Sequence, residues 1–522
     1  MGKRGNRESS TGGEIGLGGT GGHDADRPGA DTGVTIPGEL SDRTLVVASN
    51  RQPVRHEYEG GAVVAKPAVG GLTAALAPLV GGEAWTWVAW GDGEADRTVT
   101  DATNRVALPP DGAAATLRRV WLTAGEVDGY YRGYSNRVLW PVCHADTAKV
   151  EVRPTDWATY RAVNDRFADA VTAECGDDAL VWFHDYHLAL APRVVRQSHP
   201  DAMLMHFWHI PWPAWDVFRA CPHHEEVLGG LLANDLVGCQ TAGHCRNLLD
   251  CVEGAGLGSV DRATGSVSRD GHRTYVRPFP IGIDADRWTA LAATPEADQF
   301  WRSFRREHGL DDVRLAVGIE RLDYTKGLDR RLAALEHLWE TRPELRGALT
   351  YVQKGTPSRS YIPAYRRLQG QVERRIEALN DRFGTDDWQP VVYVPNRLPR
   401  TALAALYREA DLALVTPLRD GMNLVAKEFV AAQVDEPGVL VLSELAGASD
   451  GLAGAVLVHP YDVHAMAEGI ADALAMAPDE RWRRMERLDT EVRRNDVYAW
   501  LTDQFEMVKQ TAIRAVDAPE PS

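Results

Sequence analysis

The sequence has no apolar run long enough to cross a bilayer and no apolar signal core near its N-terminus, which argues against a helical membrane protein and against export. Cysteine is scarce: Cys143, Cys175, Cys221, Cys239, Cys245 and Cys251 are scattered without a C-x-x-C pair. No disulfide framework or zinc site is expected, and reduced thiols in a cytoplasmic protein are. Positive charge is short as well. The 57 basic residues stand against 74 acidic ones, a formal charge of −17, which argues against nucleic acid and anionic membrane as partners. An anionic substrate must therefore be drawn in by a local cluster of cations.

What is present is the composition of a globular enzyme, 44% hydrophobic and 25% charged, over 522 residues, enough for two large domains or three smaller ones. Residues 1–42 are rich in Gly, Asp, Arg and Ser and predict a disordered tail. The string Gly16-Leu17-Gly18-Gly19-Thr20-Gly21 matches the dinucleotide pattern, but no strand precedes it and no helix follows, so it reads as coincidence. Buried-type strands are predicted at Leu45 to Ser49, Leu180 to Phe183 and Met203 to Trp208. A loop from Gln52 to Val69 leads to Gly70-Gly71 and a helical stretch from Leu72 to Leu79, and an amphipathic helix runs from Trp157 to Ala173.

The alternation of strand and helix restarts after Ile283. Strands are expected at Leu315 to Ile319, Leu349 to Gln353, Val391 to Val394, Leu412 to Thr416, Val439 to Leu442 and Ala455 to Val458, with a helix at Leu328 to Glu340. The apolar stripe Val497, Leu501, Phe505, Val508 and Ala512 marks a last helix. The fold class is α/β: two doubly wound, Rossmann-like domains at 43–283 and 284–490, a closing helix at 491–515 and a short tail at 516–522. Such domains face each other across a cleft that holds ligands.

Two stretches concentrate the chemistry. The strand Leu412 to Thr416 breaks at Pro417, and the turn Arg419-Asp420-Gly421-Met422-Asn423 opens a helix running to Gln433. A strand, a Gly-containing turn and a helix start present free backbone N–H groups to an anion, with Asp420 at the strand end and Glu428 along the helix. In Ile319 to Leu328, Arg321 and Lys326 leave another strand just before a helix, two cations suited to a diphosphate. His184-Asp185-Tyr186-His187 and His206-Phe207-Trp208-His209 invite a metal reading. The odd spacing of His206 and His209 points them to opposite faces of a strand, so polar recognition of sugar hydroxyls by Asp185 and His209 is the better use. Trp85, Trp87, Trp90, Tyr130, Tyr131 and Trp140 supply amphipathic rings that suit sugar faces, and Arg51 and Arg359 remain as cations for a second anionic group.

Six strings carry a resemblance: SNR at 49–51, GYYRGYSNRVLWP at 129–141, HDYHL at 184–188, HIPWP at 209–213, ERLDYTKGL at 320–328 and RDGMNLVAKE at 419–428. From Leu45 to about Ile513 the chain resembles the trehalose-6-phosphate synthases, retaining glycosyltransferases of GT-B fold. The resemblance implies glucosyl transfer from a nucleoside-diphosphate glucose, UDP-glucose foremost, to glucose 6-phosphate, with no metal and no other cofactor. It implies that Arg321 and Lys326 hold the diphosphate, that Gly70, Gly71 and the backbone of Gly421, Met422, Asn423, Leu424 and Val425 border the donor, and that Glu428 holds the ribose. His209 and Asp420 would meet donor-glucose hydroxyls and Asp185 the acceptor. Arg51, Tyr131 and Arg359 would bind the acceptor phosphate, with Trp90 and Trp140 lining its sugar. Alternatives are a sister enzyme using glycerol 3-phosphate, a pseudo-glycosyltransferase joining cyclitol units, and a non-catalytic sugar-phosphate sensor. The sequence leaves the donor base and the oligomeric state open, a homo-oligomer included.

Overall fold

The structure, a computed structural model, describes residues 40, 43–67, 71–76, 85–108, 115–176, 178–357, 359 and 361–516. All of the expected tail at 1–42 except Leu40, the Gly16 to Gly21 string within it, Gly70 and the last residues of the expected helix at 72–79 lie outside the described residues.

The N-terminal half builds a ten-stranded sheet. In spatial order it runs β10 (Ser259–Asp261), β11 (Ser266–Arg269), β12 (His272–Pro278), β9 (Leu236–Cys239), β8 (Met203–Trp208), β7 (Leu180–His184), β1 (Leu45–Arg51), β4 (Trp85–Trp90), β6 (Ala115–Val120) and β5 (Arg105–Leu108). The strands from β12 to β6 are mutually parallel, and antiparallel strands close both edges. Every residue of β7 and β8 is buried, which is why both read as unbroken apolar runs rather than as alternating ones. The second sheet is parallel throughout, in the order β15 (Val391–Val394), β14 (Leu349–Thr356), β13 (Arg314–Arg321), β16 (Leu412–Val415), β17 (Val439–Ser443) and β18 (Val456–Val458).

The expected loop from Gln52 to Val69 is corrected. It holds an antiparallel hairpin of β2 (Val54–Glu59) and β3 (Ala62–Pro67), turned at Gly60 and Gly61, both with positive φ. The charged string V-R-H-E-Y-E conceals a strand because the hairpin is anchored by polar contacts rather than by an apolar face. Buried Asp96 accepts from Gln52 Nε2 at 2.6 Å and from the His56 backbone N–H at 2.8 Å, and pairs with buried Arg119 at 2.9 Å. The run Trp85 to Trp90, read only as a source of aromatic rings, is strand β4.

The last helix, Val497–Val516, leaves the second half and packs back on the first sheet, with Trp500 5.0 Å from Phe207 and 5.4 Å from Trp182 between ring centroids. Val497, Leu501, Phe505 and Val508 of the expected stripe are buried there, in one apolar core that spans both halves.

Strand order places the ligand sites. From β1 the chain winds outwards to β4 and β6 on one side and to β7, β8 and β9 on the other, so the order reverses between β1 and β7. In the second sheet it reverses between β13 and β16. Crevices beyond the carboxyl ends of strands at such reversals are where open α/β sheets bind ligands. Those ends carry Arg51 and Asp185 in one sheet, and Arg321 and Asp420 in the other.

Candidate active site

At the second reversal, Lys326 Nζ contacts Asp420 Oδ2 at 2.5 Å, and Asn423 Nδ2 donates to the same oxygen at 3.0 Å. Burial pushes the Asp420 carboxyl up, but Lys326, His144 and Asn423 together hold it below the usual range, so it is ionised at neutral pH. Asn423 sits at φ 91 immediately before the helix Leu424–Ala432 and gives that helix no side-chain cap. The first N–H groups are thus left for an anion. Gly327 makes the neighbouring turn: its φ is 70, and a Cβ there would stand 2.5 Å from the Thr416 carbonyl. The turns at Lys326 and Asp420 can approach each other only with glycine at this position.

Below these turns lies a group that sequence reasoning missed. Buried Arg331 pairs with Glu320 at 2.6 and 3.1 Å, and donates to the Tyr351 hydroxyl at 2.9 Å and to Thr416 Oγ1 at 2.8 Å. It ties β13, β14 and the end of β16 together and so fixes where Arg321 leaves the sheet. Helical periodicity gave no signal for it, because an arginine on the inner face of Leu328–Thr341 looks like a surface charge until its partners, all but Lys326 at least 11 residues away, are known.

At the first reversal, Arg51 Nη2 donates to the Tyr131 hydroxyl at 3.0 Å, and Trp90 lies 6.0 Å from the Tyr131 ring. Tyr131 projects from the helical stretch Val127–Leu139, which breaks two residues further on at Gly133, where the backbone is non-helical (φ −78, ψ −109). Burial raises the Tyr131 phenol, but Arg51, Arg359 and Arg321 together bring it below its usual value. Three guanidinium groups from three strand ends thus act on one hydroxyl. Arg359 comes from the second half and lies 3.9 Å over the ring of buried Trp140. It also pairs with buried Asp323 at 2.8 Å, and its Nε has no partner among the described residues. Its charge is therefore shared between Asp323 and the cleft, which spacing alone did not reveal.

Asp185 follows β7 at φ 69, a strained setting for a non-glycine residue and one typical of functional positions. Burial raises its carboxyl to about 7, and its Oδ1 has no hydrogen-bond partner among the described residues. The side-chain polar atoms of Asn50, both ring nitrogens of His187, and Asn423 Oδ1 are likewise buried without hydrogen-bond partners among the described residues. A group of unpaired polar atoms at strand ends marks a polar-ligand site, because such groups are otherwise almost always satisfied. Asn50 and His187 were missed as candidates; each is adjacent to, or within two residues of, one that was named.

The two clusters face each other. A Cβ on Gly421 would stand 2.3 Å from the His209 carbonyl oxygen, and one on Gly71 would stand 2.9 Å from Leu424 Cδ1. Around the rim, Arg132 lies 4.4 Å from the Tyr361 ring and Lys149 4.6 Å from Tyr324. His209 stands one residue past the end of β8, against Phe207 and Trp500, whereas His206 stacks on Phe183 on the other face. The structure thus brings together Arg51, Trp90, Tyr131, Trp140, Asp185 and Arg359 on one side, with Lys326, Asp420 and Asn423 opposite, and His209 meeting Gly421 between them. Met422 is buried, and Leu424 and Val425 are half-buried at the helix start.

Glu428 lies deeper along that helix and accepts from the Tyr407 hydroxyl at 3.0 Å. Burial raises it to about 7, against the pull of Tyr407 and Arg400. In the free protein at pH 7 this carboxyl is therefore partly protonated. Were Glu428 to hold a ribose diol, as the resemblance implies, the diol would donate to the carboxylate, favour the ionised form and lower its pKa. Binding of nucleotide is expected to release a proton near pH 6.5–7.5, read by calorimetry in buffers of different ionisation enthalpy, and Glu428→Gln is expected to abolish that part of the release.

Two doubly wound domains with their strand-order reversals turned towards one cleft define a GT-B glycosyltransferase. Comparison with known proteins assigns the chain within that class. It matches glycosyltransferase family 20 over residues 43–510 and belongs to that family. It is 38% identical over 464 residues to a trehalose-6-phosphate synthase of Mycolicibacterium smegmatis, covering 87% of this chain and 90% of that one. It is also 38% identical over 470 residues to a bifunctional trehalose-6-phosphate synthase/phosphatase of Thermoproteus tenax, covering 88% of this chain but only 62% of that longer protein. A crystal structure of an α,α-trehalose-phosphate synthase (UDP-forming) from Burkholderia xenovorans, in complex with glucose 6-phosphate, superposes with a TM-score of 0.80 at 33% identity, over 89% of this chain and all of that one.

Proposed function

We propose that the chain is an α,α-trehalose-6-phosphate synthase that transfers glucose, with retention, from UDP-glucose to glucose 6-phosphate. The observation that carries the reading is the convergence of Arg51 and Arg359 on Tyr131 beside Asp185, opposite Arg321 at the end of β13, the Lys326–Asp420 pair and the uncapped helix start. That is one phosphate-binding group for the acceptor and one diphosphate-binding group for the donor, in a single cleft.

Arg321 and Lys326 neutralise charge that grows on the diphosphate as the glucosyl C1–O bond breaks. Asp420 and His209 orient the donor glucose, Glu428 takes the ribose, and the backbone of Gly421 to Val425 lies along the diphosphate. Gly71 borders the donor from the opposite side. Arg51, Tyr131 and Arg359 hold the acceptor phosphate, Trp90 and Trp140 flank its sugar, and Asp185 orients the attacking hydroxyl. The new C1–O bond forms on the face the diphosphate leaves, and the acceptor proton passes to a diphosphate oxygen. Lobe contacts such as Gly421 against His209 exclude water that would hydrolyse the donor.

The division at 283/284, with 43–283 as acceptor domain and 284–490 as nucleotide-sugar domain, is part of the same proposal. A cytoplasmic location is supported by six free cysteines, and among the described residues no helix is long and apolar enough to cross a membrane. The test is a matrix of UDP-, GDP- and ADP-glucose against glucose 6-phosphate, glycerol 3-phosphate and glucose, scored by nucleotide release and phosphorylated product. Turnover with UDP-glucose and glucose 6-phosphate is expected. A preference for glycerol 3-phosphate moves the assignment to the sister enzyme, and binding without turnover moves it to a sensor.

A further inference from the structure

His184, the last residue of β7, is fully buried, and its Nδ1 lies 3.1 Å from His209 Nε2. Burial keeps both imidazoles neutral, with His209 lowered to about 3. Two neutral rings in contact need one donor and one acceptor, so their tautomers are locked to each other. The outer nitrogen of His184 decides which is which. Its Nε2 is buried with no hydrogen-bond partner among the described residues, and its ring packs 4.4 Å from Trp182 and 6.5 Å from Trp500 of the last helix. An unmatched buried N–H is rarer than an unmatched acceptor, so the proton belongs on His184 Nδ1 and is donated to His209 Nε2.

We propose that His184 is a positioning residue that holds His209 in its Nδ1–H tautomer, so that His209 offers the donor sugar an N–H rather than a lone pair. This rests on the reading of His209 as a donor-glucose contact. The backbone of His209 is fixed separately, by Gln240 Nε2 at 3.3 Å from its carbonyl and by close packing on Gly421. His184 therefore controls ring and tautomer without setting the chain path.

The experiment uses full-length protein labelled with ¹⁵N at histidine. Long-range proton–nitrogen correlation at neutral pH is expected to show the His209 proton on Nδ1. His184→Asn, whose amide N–H occupies the place of Nδ1–H, keeps that tautomer and a kcat within a few-fold of the parent. His184→Leu, of similar size without a donor, gives mixed tautomers and a kcat lowered about tenfold or more, with KM for glucose 6-phosphate unchanged. A His209 proton on Nε2 in the parent protein, or Asn and Leu variants of equal kcat, would overturn the proposal; the first holds even if the Leu variant fails to fold. His209→Ala separates the two readings: unchanged turnover there removes the role of His209 in transfer, whereas the tautomer measurement reports on His184 alone.

Discussion

Arg321→Ala is expected to lower glucosyl transfer by about 100- to 1,000-fold, the cost of losing one charged donor to a developing anion. Its thermal unfolding and circular dichroism should match those of the parent. Arg321 is exposed at the end of β13 and makes no ion pair among the described residues, so its removal strands no buried partner. Steady-state kinetics separate the readings. Loss in kcat at near-normal KM for UDP-glucose places its contribution in the transition state, whereas a rise in KM alone would make it a ground-state contact. Turnover like that of the parent would remove Arg321 from the diphosphate group. The contrast with Arg331, ten residues on, is instructive: that guanidinium is buried and bound to Glu320, so its loss is a folding defect and carries no information on chemistry.

Gly421→Ala is expected to cost about 100-fold in kcat/KM, because displacement of a reacting group by about 1 Å is enough for that. The added Cβ would sit 2.3 Å from the His209 carbonyl oxygen and 3.2 Å from the Ile210 backbone, and neither can rotate away as a side chain would. The turn carrying Asp420 must then withdraw from the opposite domain, misplacing the donor relative to the acceptor and admitting water. Donor hydrolysis should rise as transfer falls, a signature that simple destabilisation lacks. The control is Gly125→Ala, where an added Cβ meets nothing within 4 Å and activity should not change. Unchanged transfer in Gly421→Ala would show that the lobes do not need this contact.

How much of this was legible in the sequence depended on whether a residue's neighbours were local. β1, β7, β8 and β13 to β18 were readable because parallel strands covered on both faces leave short, uninterrupted apolar runs. The strand–turn–helix at Asp420 and the placement of Arg321 and Lys326 were readable for a related reason: all three sit at short, fixed offsets from a strand end. The β2–β3 hairpin was not, since its anchor is Asp96, 40 residues on from His56, bound to an arginine further still. β4 was hidden because Trp85, Trp87 and Trp90 drew attention as rings rather than as a strand. Arg331, and the link from His184 to His209, depend on partners brought near only by the folded sheets. Arg359 was read as a cation of the cleft, but its pairing with Asp323 appears only when the two strand ends are set side by side.

The most direct test of the central claim is the stereochemistry of the product. The chain is incubated with UDP-glucose and glucose 6-phosphate, the phosphate is removed, and the anomeric protons of the disaccharide are read by NMR. The account predicts one UDP released per disaccharide and a single non-reducing product linked α,α-1,1. A β-linked or reducing disaccharide, or free glucose as the sole product, would contradict it.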